Sequence, residues 1–218
     1  MRLTVAVLVL TTVQMAKPES VHFDRCDAGG APPHWSVAMT HSGGQPRWAL
    51  VKDPSAPSPP CVFAQLSADP TAGRFPLAIW ETAPFRDGEV AVAFKPVAGT
   101  VDQAAGIVWR YRDPNSYYIV RANALESNVV LYKVQNGIRS SIAPIGLPSR
   151  AYGVKHPINT RQWSTLRVIF RDSLFTVFLN SEKLFDAEDR SLDSAGKTGL
   201  WTKADSVVYF DNFEVKPK

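Results

Sequence analysis

Hydrophobic and polar residues alternate over much of the chain after residue 73, in short runs rich in β-branched and aromatic side chains. Alternation with a period of two places successive side chains on opposite faces of a strand, so each run predicts a β-strand. The predicted strands span residues 88–96, 106–112, 117–123, 129–135, 164–171, 175–180 and 207–215. Turn signals separate these runs, and no segment beyond the N-terminus has the 3.6-residue repeat of an amphipathic helix.

Proline and glycine clusters dominate the preceding region, where shorter strands are predicted at residues 35–39, 48–52 and 62–66. This region has too few apolar residues for a core of its own. The pattern therefore predicts one all-β domain over residues 17–218, with a loop-rich N-terminal segment at 17–72. Sequential hairpins at this spacing are typical of a two-sheet antiparallel β-sandwich with a jelly-roll topology.

Residues 1–16 have the pattern of a signal peptide, with Arg2 before an apolar stretch at 3–13 and Ala16 at the expected cleavage position. Gln14 departs from the small residue typical of such sites, and the alternative is a buried N-terminal strand. The first interpretation predicts a secreted or periplasmic protein with no membrane partner once the signal is removed. In that compartment Cys26 and Cys61 are able to form a disulfide; two free, buried thiols are the alternative.

The composition of the chain argues against some classes of partner and metal site. The chain has 218 residues, 24 Lys and Arg against 20 Asp and Glu, and a formal net charge of +4. No dense basic run accompanies that charge, so nucleic acid is not an expected partner. Two cysteines exclude a four-cysteine zinc site, and the four histidines lack metal-ligand spacing.

The hairpin register determines which polar side chains meet. A four-residue loop at 113–116 and a five-residue loop at 124–128 place three neighbouring strands in register. One face of these strands then carries the predicted ligand-binding residues, which are Arg110, Arg112, Tyr117, Arg121, Asn123 and Lys133. The other face is the predicted core, and it holds Ile107, Trp109, Tyr111, Tyr118, Val120, Ala122, Val130, Tyr132 and Val134.

Two interpretations of the polar face remain open. It is either a solvated outer surface or a concave face that binds a polar ligand. Guanidinium and amide groups hydrogen-bond sugar hydroxyls or a carboxylate in fixed geometry, and a tyrosine ring stacks on a pyranose. Several cations on one face repel one another, which favours an anionic neighbour or ligand.

Phe210 and Phe213 both favour the core, yet strict alternation would place them on opposite faces. A β-bulge at residues 211–212 reconciles the two positions. Asp211 in such a bulge has two alternative roles. It either accepts hydrogen bonds or, together with Asp24, binds a structural calcium ion; no other cofactor is expected.

The segments at 105–137 and 196–215 resemble the exported concanavalin A-like family described as 3-keto-disaccharide hydrolase-like, and more distantly laminin-G-like and family-16 glycoside hydrolase-like sandwiches. The resemblance rests on the Arg-Tyr-Arg-Asp-Pro-Asn run before Tyr117 and on the Phe-Asp-Asn-Phe run at 210–213. It implies a jelly roll that handles carbohydrate on its concave side.

The resemblance leaves enzymatic activity open. The paired-carboxylate strand motif of family-16 enzymes is absent, and Asp186, Glu188 and Asp189 are predicted to lie in a solvated loop. The expected function is therefore an exported carbohydrate-binding domain. The alternatives are a glycoside hydrolase or lyase of the 3-keto type, and a structural or protein-interaction domain.

Overall fold

The computed structural model describes residues 18–23, 25–26 and 29–218, so the predicted signal peptide and Asp24 lie outside the described residues. The described part of the chain folds into sixteen strands and contains no helix, and hence no helix able to cross a membrane. The first eight strands are β1 (Glu19–Val21), β2 (Trp35–Thr40), β3 (Trp48–Lys52), β4 (Cys61–Gln65), β5 (Phe75–Phe85), β6 (Gly88–Ala98), β7 (Ala104–Asp113) and β8 (Ser116–Asn123). The others are β9 (Asn128–Gln135), β10 (Ile138–Ile142), β11 (Val154–Lys155), β12 (Ser164–Arg171), β13 (Leu174–Leu179), β14 (Glu182–Glu188), β15 (Gly196–Thr202) and β16 (Val207–Pro217).

These strands form two eight-stranded antiparallel sheets. Sheet A has the order β14-β13-β12-β6-β16-β4-β3, with β1 also pairing with β16. Sheet B has the order β10-β9-β8-β7-β15-β5-β2, with β11 also pairing with β9. The predicted all-β sandwich is confirmed.

The main core lies between the sheets and is rich in aromatic rings. Trp109 of β7 stacks on Tyr118 of β8 and on Phe170 of β12, so it joins both sheets. Phe23 and Trp35 from the N-terminal segment are also buried in this core. The N-terminal segment is therefore packed into the same sandwich.

The loop between β3 and β4 is tied to the outer face of sheet A. A buried ion pair joins Asp53 to Lys95 of β6, and the Ser58 amide donates to Asp211 of β16 over 2.7 Å. A disulfide joins Cys26 to Cys61 at the start of β4. Of the two alternatives for these cysteines, the structure contains the disulfide.

Sheet B curls around its outer face without closing into a barrel. Four strands separate β10 from β5 in the sheet order, yet the Arg139 guanidinium of β10 lies 4.8 Å from the ring centre of Phe75 of β5. At the same corner, the hydroxyls of Thr40 and Tyr117 are 2.6 Å apart. Strands that are distant in the sheet therefore meet across its concave side.

This curl encloses a second, smaller apolar core on the outer face of sheet B. Its members are Phe75, Leu77, Ile79, Ala104, Val108, Tyr117, Ile119, Val134 and Trp201. Because both faces of the central strands are buried, their sequences lose the alternation that marks a half-exposed strand. β7 and β8 were still predicted from their β-branched and aromatic runs, whereas β5, with two prolines, and β15, with two glycines, were not.

The predicted β-bulge in β16 is confirmed. Its pairing with β6 shifts register between Asp211 and Glu214, and Asn212 has a φ of 48°. Phe210 and Phe213 consequently both enter the main core, with no exposed surface. The extra residue in the bulge reverses the face on which the following side chains lie, so two rings three positions apart point to the same side.

Candidate functional site

Strand β8 presents Tyr117, Arg121 and Asn123 on the outer face of sheet B, as predicted. In the observed register, Arg121 lies opposite Gly106 of β7 and Val130 of β9. Ile107, Trp109, Tyr118, Val120 and Ala122 face the main core, also as predicted. The rest of the predicted polar face is rearranged by two local features, one on each side of β8.

The first feature is a β-bulge at Arg110, which was predicted to lie on the outer face. Arg110 has a φ of 48°, and the pairing of β7 with β8 shifts between Trp109 and Asp113. Gly196 of β15 packs against this bulge, where a Cβ would lie 2.4 Å from the Arg110 carbonyl carbon. The bulge turns Tyr111 toward the second core and leaves Arg112 exposed near the hairpin tip.

The bulge redirects Arg110 into the protein. Its guanidinium is buried and donates to the main-chain carbonyls of Arg86, Asp172 and Leu192 over 2.5–3.0 Å. It also lies 6.0 Å from the ring of Tyr118 on the core side. The placement of Arg110 on the ligand-binding face is therefore wrong, and its contacts tie three loops together.

The second feature is the turn between β8 and β9, which has four residues rather than five. Asn123 pairs directly with Asn128, and Ser127 adopts a φ of 49°. One residue fewer in the loop reverses the faces of the whole following strand. Val130, Tyr132 and Val134 therefore lie on the outer face, whereas Val129, Leu131 and Lys133 lie on the core side.

Lys133 is accordingly placed away from Arg121, contrary to the prediction. Its ammonium donates to Asp189 over 2.8 Å, and the Tyr118 hydroxyl donates to the same carboxylate over 2.8 Å. Burial by itself raises the pKa of Asp189, but the hydrogen bond from Lys133 and those from Ser191 and Tyr118 outweigh it and lower that pKa. Asp189 thus anchors its loop within the fold, which corrects its predicted place in a solvated loop.

The two ends of the outer face of sheet B differ in chemistry. At one end Tyr117 lies on the predicted face but is fully buried in the second core, so its ring offers no surface to a ligand. At the other end the side chains are polar and partly open to solvent. We call this second group the Glu126 cluster; it comprises Asp102, Arg121, Asn123, Glu126, Asn128 and Lys203.

Arg121 and Glu126 form the centre of the cluster. Arg121 has no exposed surface and donates to both carboxylate oxygens of Glu126, over 3.1 and 2.8 Å, and to Asn128 over 2.6 Å. The Glu126 side chain is 36% exposed. This two-point geometry fixes the carboxylate plane, and Asn128 adds a further hydrogen bond to the same carboxylate over 3.0 Å.

Asn123 joins two carboxylates. Its amide nitrogen donates to Asp102 and, over 3.2 Å, to Glu126. Its carbonyl oxygen accepts the backbone amides of Leu125 and Glu126, which is the hydrogen-bonding pattern of an Asx turn. Asn123 therefore closes the four-residue turn and positions Glu126 at the same time.

The turn between β6 and β7 presents Asp102. Asp205 is buried and accepts the backbone amides of Thr100, Val101 and Asp102 over 2.7–3.2 Å. Burial by itself raises the pKa of Asp205, but these amide hydrogen bonds outweigh it and lower that pKa. Lys203 then pairs with Asp102 at the edge of the cluster.

Aromatic rings border the Glu126 cluster. The Arg121 guanidinium carbon lies 5.5 Å from the ring centre of Tyr132 and 5.7 Å from that of Tyr152. The two tyrosine hydroxyls are hydrogen-bonded, and Tyr152 is 48% exposed. An ionised, partly exposed glutamate and a half-exposed tyrosine thus flank the buried Arg121 guanidinium.

Electrostatics keep Glu126 ionised. Burial by itself raises the pKa of its carboxyl group, but the hydrogen bonds and charge of Arg121 outweigh burial and hold that pKa below its ordinary value. Asn128 and the charge of Lys203 act in the same direction. At neutral pH the cluster therefore offers a carboxylate, which accepts hydrogen bonds or a proton.

Asp211 is held by hydrogen bonds from the amides of Ser58 and Asn212, over 2.7 and 2.8 Å. Its predicted calcium partner, Asp24, lies outside the described residues. Within those residues no group of three or more His, Cys, Asp or Glu side chains is arranged to hold a metal ion. Calcium bound by Asp24 and Asp211 therefore stays a prediction.

Sequence reasoning did not identify Asp102, Glu126 or Tyr152. One available signal was Asn123 at the end of a predicted strand, because an asparagine side chain that accepts the amide two residues on is typical of an Asx turn. No local signal marks Asp102 or Tyr152. Both reach the cluster from turns that lie far from β8 in sequence.

Solved structures share this fold at low sequence identity. A carbohydrate-binding module from Bacillus subtilis, CBM66, is 18% identical with a TM-score of 0.60, covering 83% of this chain and 94% of that one. A protein of unknown function from Shewanella oneidensis is 16% identical with a TM-score of 0.57, covering 96% and 90%. Domain 4 of the arabinanase AbnA from Geobacillus stearothermophilus is 13% identical with a TM-score of 0.53, covering 83% and 82%.

No curated protein matches the sequence. A family model does match, and it spans residues 40–216, which include the whole Glu126 cluster and nearly all of both sheets. The resemblance seen in the sequence is thereby confirmed: this chain belongs to the family of 3-keto-α-glucoside-1,2-lyase-like domains.

Proposed function

We propose that this domain binds a saccharide at the Glu126 cluster. The observation that carries the proposal is the partly exposed Glu126 side chain, whose carboxylate is held by Arg121 and Asn123 near the half-exposed ring of Tyr152. A carboxylate accepts hydrogen bonds from vicinal hydroxyls, and a tyrosine ring packs on the apolar face of a pyranose. The names of two structural relatives, a carbohydrate-binding module and a domain in complex with arabinotriose, support this choice of ligand.

Binding is tested by titrating the folded protein with a glycan panel that includes 3-keto glucosides. We expect Glu126→Gln and Tyr152→Ala each to weaken binding of the bound glycan by at least about tenfold. Glu188→Gln is the matched control, because Glu188 is a partly exposed, ion-paired glutamate on sheet A. Equal affinity of all three variants and the unaltered protein would exclude the Glu126 cluster as the binding site.

The second candidate function is elimination from a 3-keto-α-glucoside, which the description of the family favours. In this reaction the ionised Glu126 removes the proton from C2, which the neighbouring C3 carbonyl acidifies. The electron pair forms a C1–C2 double bond, the bond from C1 to the aglycone oxygen breaks, and the leaving oxygen takes a proton from solvent. The positive charges of Lys203 and Arg121 stabilise the negative charge that develops on the C3 carbonyl oxygen.

Product analysis separates the two functions. Elimination yields an unsaturated keto sugar one water molecule lighter than the product of hydrolysis, and its enone absorbs in the ultraviolet. We expect Glu126→Gln to lower the rate by about a hundredfold or more, the usual effect of removing a general base. Binding of a 3-keto glucoside without turnover would support the first function and exclude the second.

We also propose that the protein is exported. The Cys26–Cys61 disulfide supports this location, because such bonds persist in oxidising compartments. N-terminal sequencing of protein recovered outside the cytoplasm is expected to begin near residue 17. Recovery with Met1 intact would contradict the predicted signal peptide.

A further inference from the structure

The outer face of sheet A, on the opposite side of the sandwich from the Glu126 cluster, contains a groove of about 400 Å³. Ala91 and Ala93 of the central strand β6 lie along its floor. The volume falls within the range of small-molecule sites, about 300–1,000 Å³. Because both floor side chains are single methyl groups, the groove has depth on an otherwise pleated surface.

Strand pairing places the walls of the groove. Arg167 of β12 lies opposite Ala91 on one side, and Glu214 of β16 lies opposite it on the other. Two strand spacings therefore separate the walls, about 10 Å between main chains. That width admits a sugar ring lying across the floor.

Arg167 is held in a fixed position, and its N–H groups are available to donate hydrogen bonds. Its guanidinium lies 3.7 Å from the ring centre of Phe178, which holds its plane in place. It makes a single loose ion pair, with Glu89 at 3.5 Å, and no hydrogen bond to any described residue. A preorganised planar fork with free donors is suited to bind adjacent oxygen atoms of a ligand.

The bulge in β16 provides a second donor. Asn212 lines the groove and has a φ of 48°, and its carbonyl oxygen accepts the Ser58 hydroxyl over 2.7 Å. Within the described residues its side-chain nitrogen, Nδ2, donates to no protein group, whereas its main-chain amide donates to Asp211. Bulges commonly re-aim a side chain in this manner.

The charges of the groove balance. Two cations, Arg167 and Lys216, face two anions, Glu89 and Glu214. A charged ligand of either sign would therefore be repelled by a like charge at close range. Uncharged hydroxyl groups, in contrast, can donate to the carboxylates and accept from the guanidinium and the side-chain amide. We propose that this groove is a second binding site, independent of the Glu126 cluster, for a short uncharged oligosaccharide.

The test follows backbone amide chemical shifts by NMR during titration with two neutral trisaccharides, each to millimolar concentration. These are maltotriose, which has α-linkages, and cellotriose, which has β-linkages. We expect the amides of Ala91 and Ala93 to shift with at least one of them. Arg167→Ala is expected to weaken this response at least tenfold, and Ala91→Leu, which fills the floor, to abolish it. Arg171→Ala is the matched control, because it removes an exposed arginine from the same face of β12 outside the groove.

The two sites are separated by their variants. Glu126→Gln is expected to leave the shifts of Ala91 and Ala93 unchanged, since Glu126 belongs to the other sheet. Shifts confined to the Glu126 cluster would overturn the second site and leave the first intact. Unshifted Ala91 and Ala93 amides with both trisaccharides, or equal responses in Arg167→Ala and Arg171→Ala, would also overturn it.

Discussion

Arg110 and Arg121 lie on neighbouring strands of sheet B, and both are almost fully buried, yet their hydrogen bonds serve different ends. Arg110 donates chiefly to main-chain carbonyls of three loops, at the core side of the sheet. Among the described residues, Arg121 donates to side chains alone, and one of them, Glu126, is 36% exposed. A buried arginine that binds main chain holds loops in place, whereas one that binds a partly exposed carboxylate fixes the orientation of that carboxylate.

The largest effect is expected from Arg110→Met. Methionine preserves most of the volume but leaves three carbonyl groups without their donor, at a cost of about 3 kcal/mol in the free energy of unfolding. Urea denaturation measures this loss. Arg112→Met, at the exposed tip of the same hairpin, is the control and should stay within about 0.5 kcal/mol of the unaltered protein.

Arg121→Met is expected to destabilise the protein less, by about 2 kcal/mol, because water can hydrate the partly exposed Glu126 carboxylate that it leaves unpaired. The same variant should abolish measurable saccharide binding, since Glu126 loses its fixed orientation. The comparison of the two arginines is wrong if Arg110→Met lowers affinity as much as Arg121→Met in samples that are both shown to be folded.

Lys133→Met tests the corrected register. The ammonium contacts Asp189 and Ser191 at the core side, so its loss should destabilise the protein by about 1 kcal/mol and leave saccharide affinity unchanged. Calorimetry on the same preparation gives both quantities. A tenfold loss of affinity at unchanged stability would instead place Lys133 at the ligand.

The smallest effect is expected in the pH dependence of Glu126. Its pKa is lowered in the folded state, so the stability that it contributes is fully present above the ordinary glutamate value of about 4.3 and is lost as the pH falls through the lower, folded-state value. The stability difference between the unaltered protein and Glu126→Gln should therefore shrink below about pH 4. Urea midpoints measured near pH 7 and pH 3 check this, and a difference that grows on acidification would contradict it.

Residue pattern predicted ten of the sixteen strands, because those strands combine β-branched runs with clear turn signals. It did not predict β5, whose first five residues are buried on both faces and which contains Pro76 and Pro84. It also did not predict β15, in which Gly196 and Gly199 make room for neighbouring main chain. These features depend on how neighbouring strands pack against β5 and β15, and the local residue pattern contains no information about that packing.

The sequence alone determined the sandwich class, the core face of β8 and the bulge between Phe210 and Phe213, since each follows from alternation within a single strand. Only the tertiary structure decided where Arg110 and Lys133 point. A bulge packed against Gly196 redirects one, and a turn one residue shorter than expected reverses the other. Because side chains change face at every residue, a single residue gained or lost moves a predicted binding residue to the other side of the sheet, and long-range packing determines whether that happens.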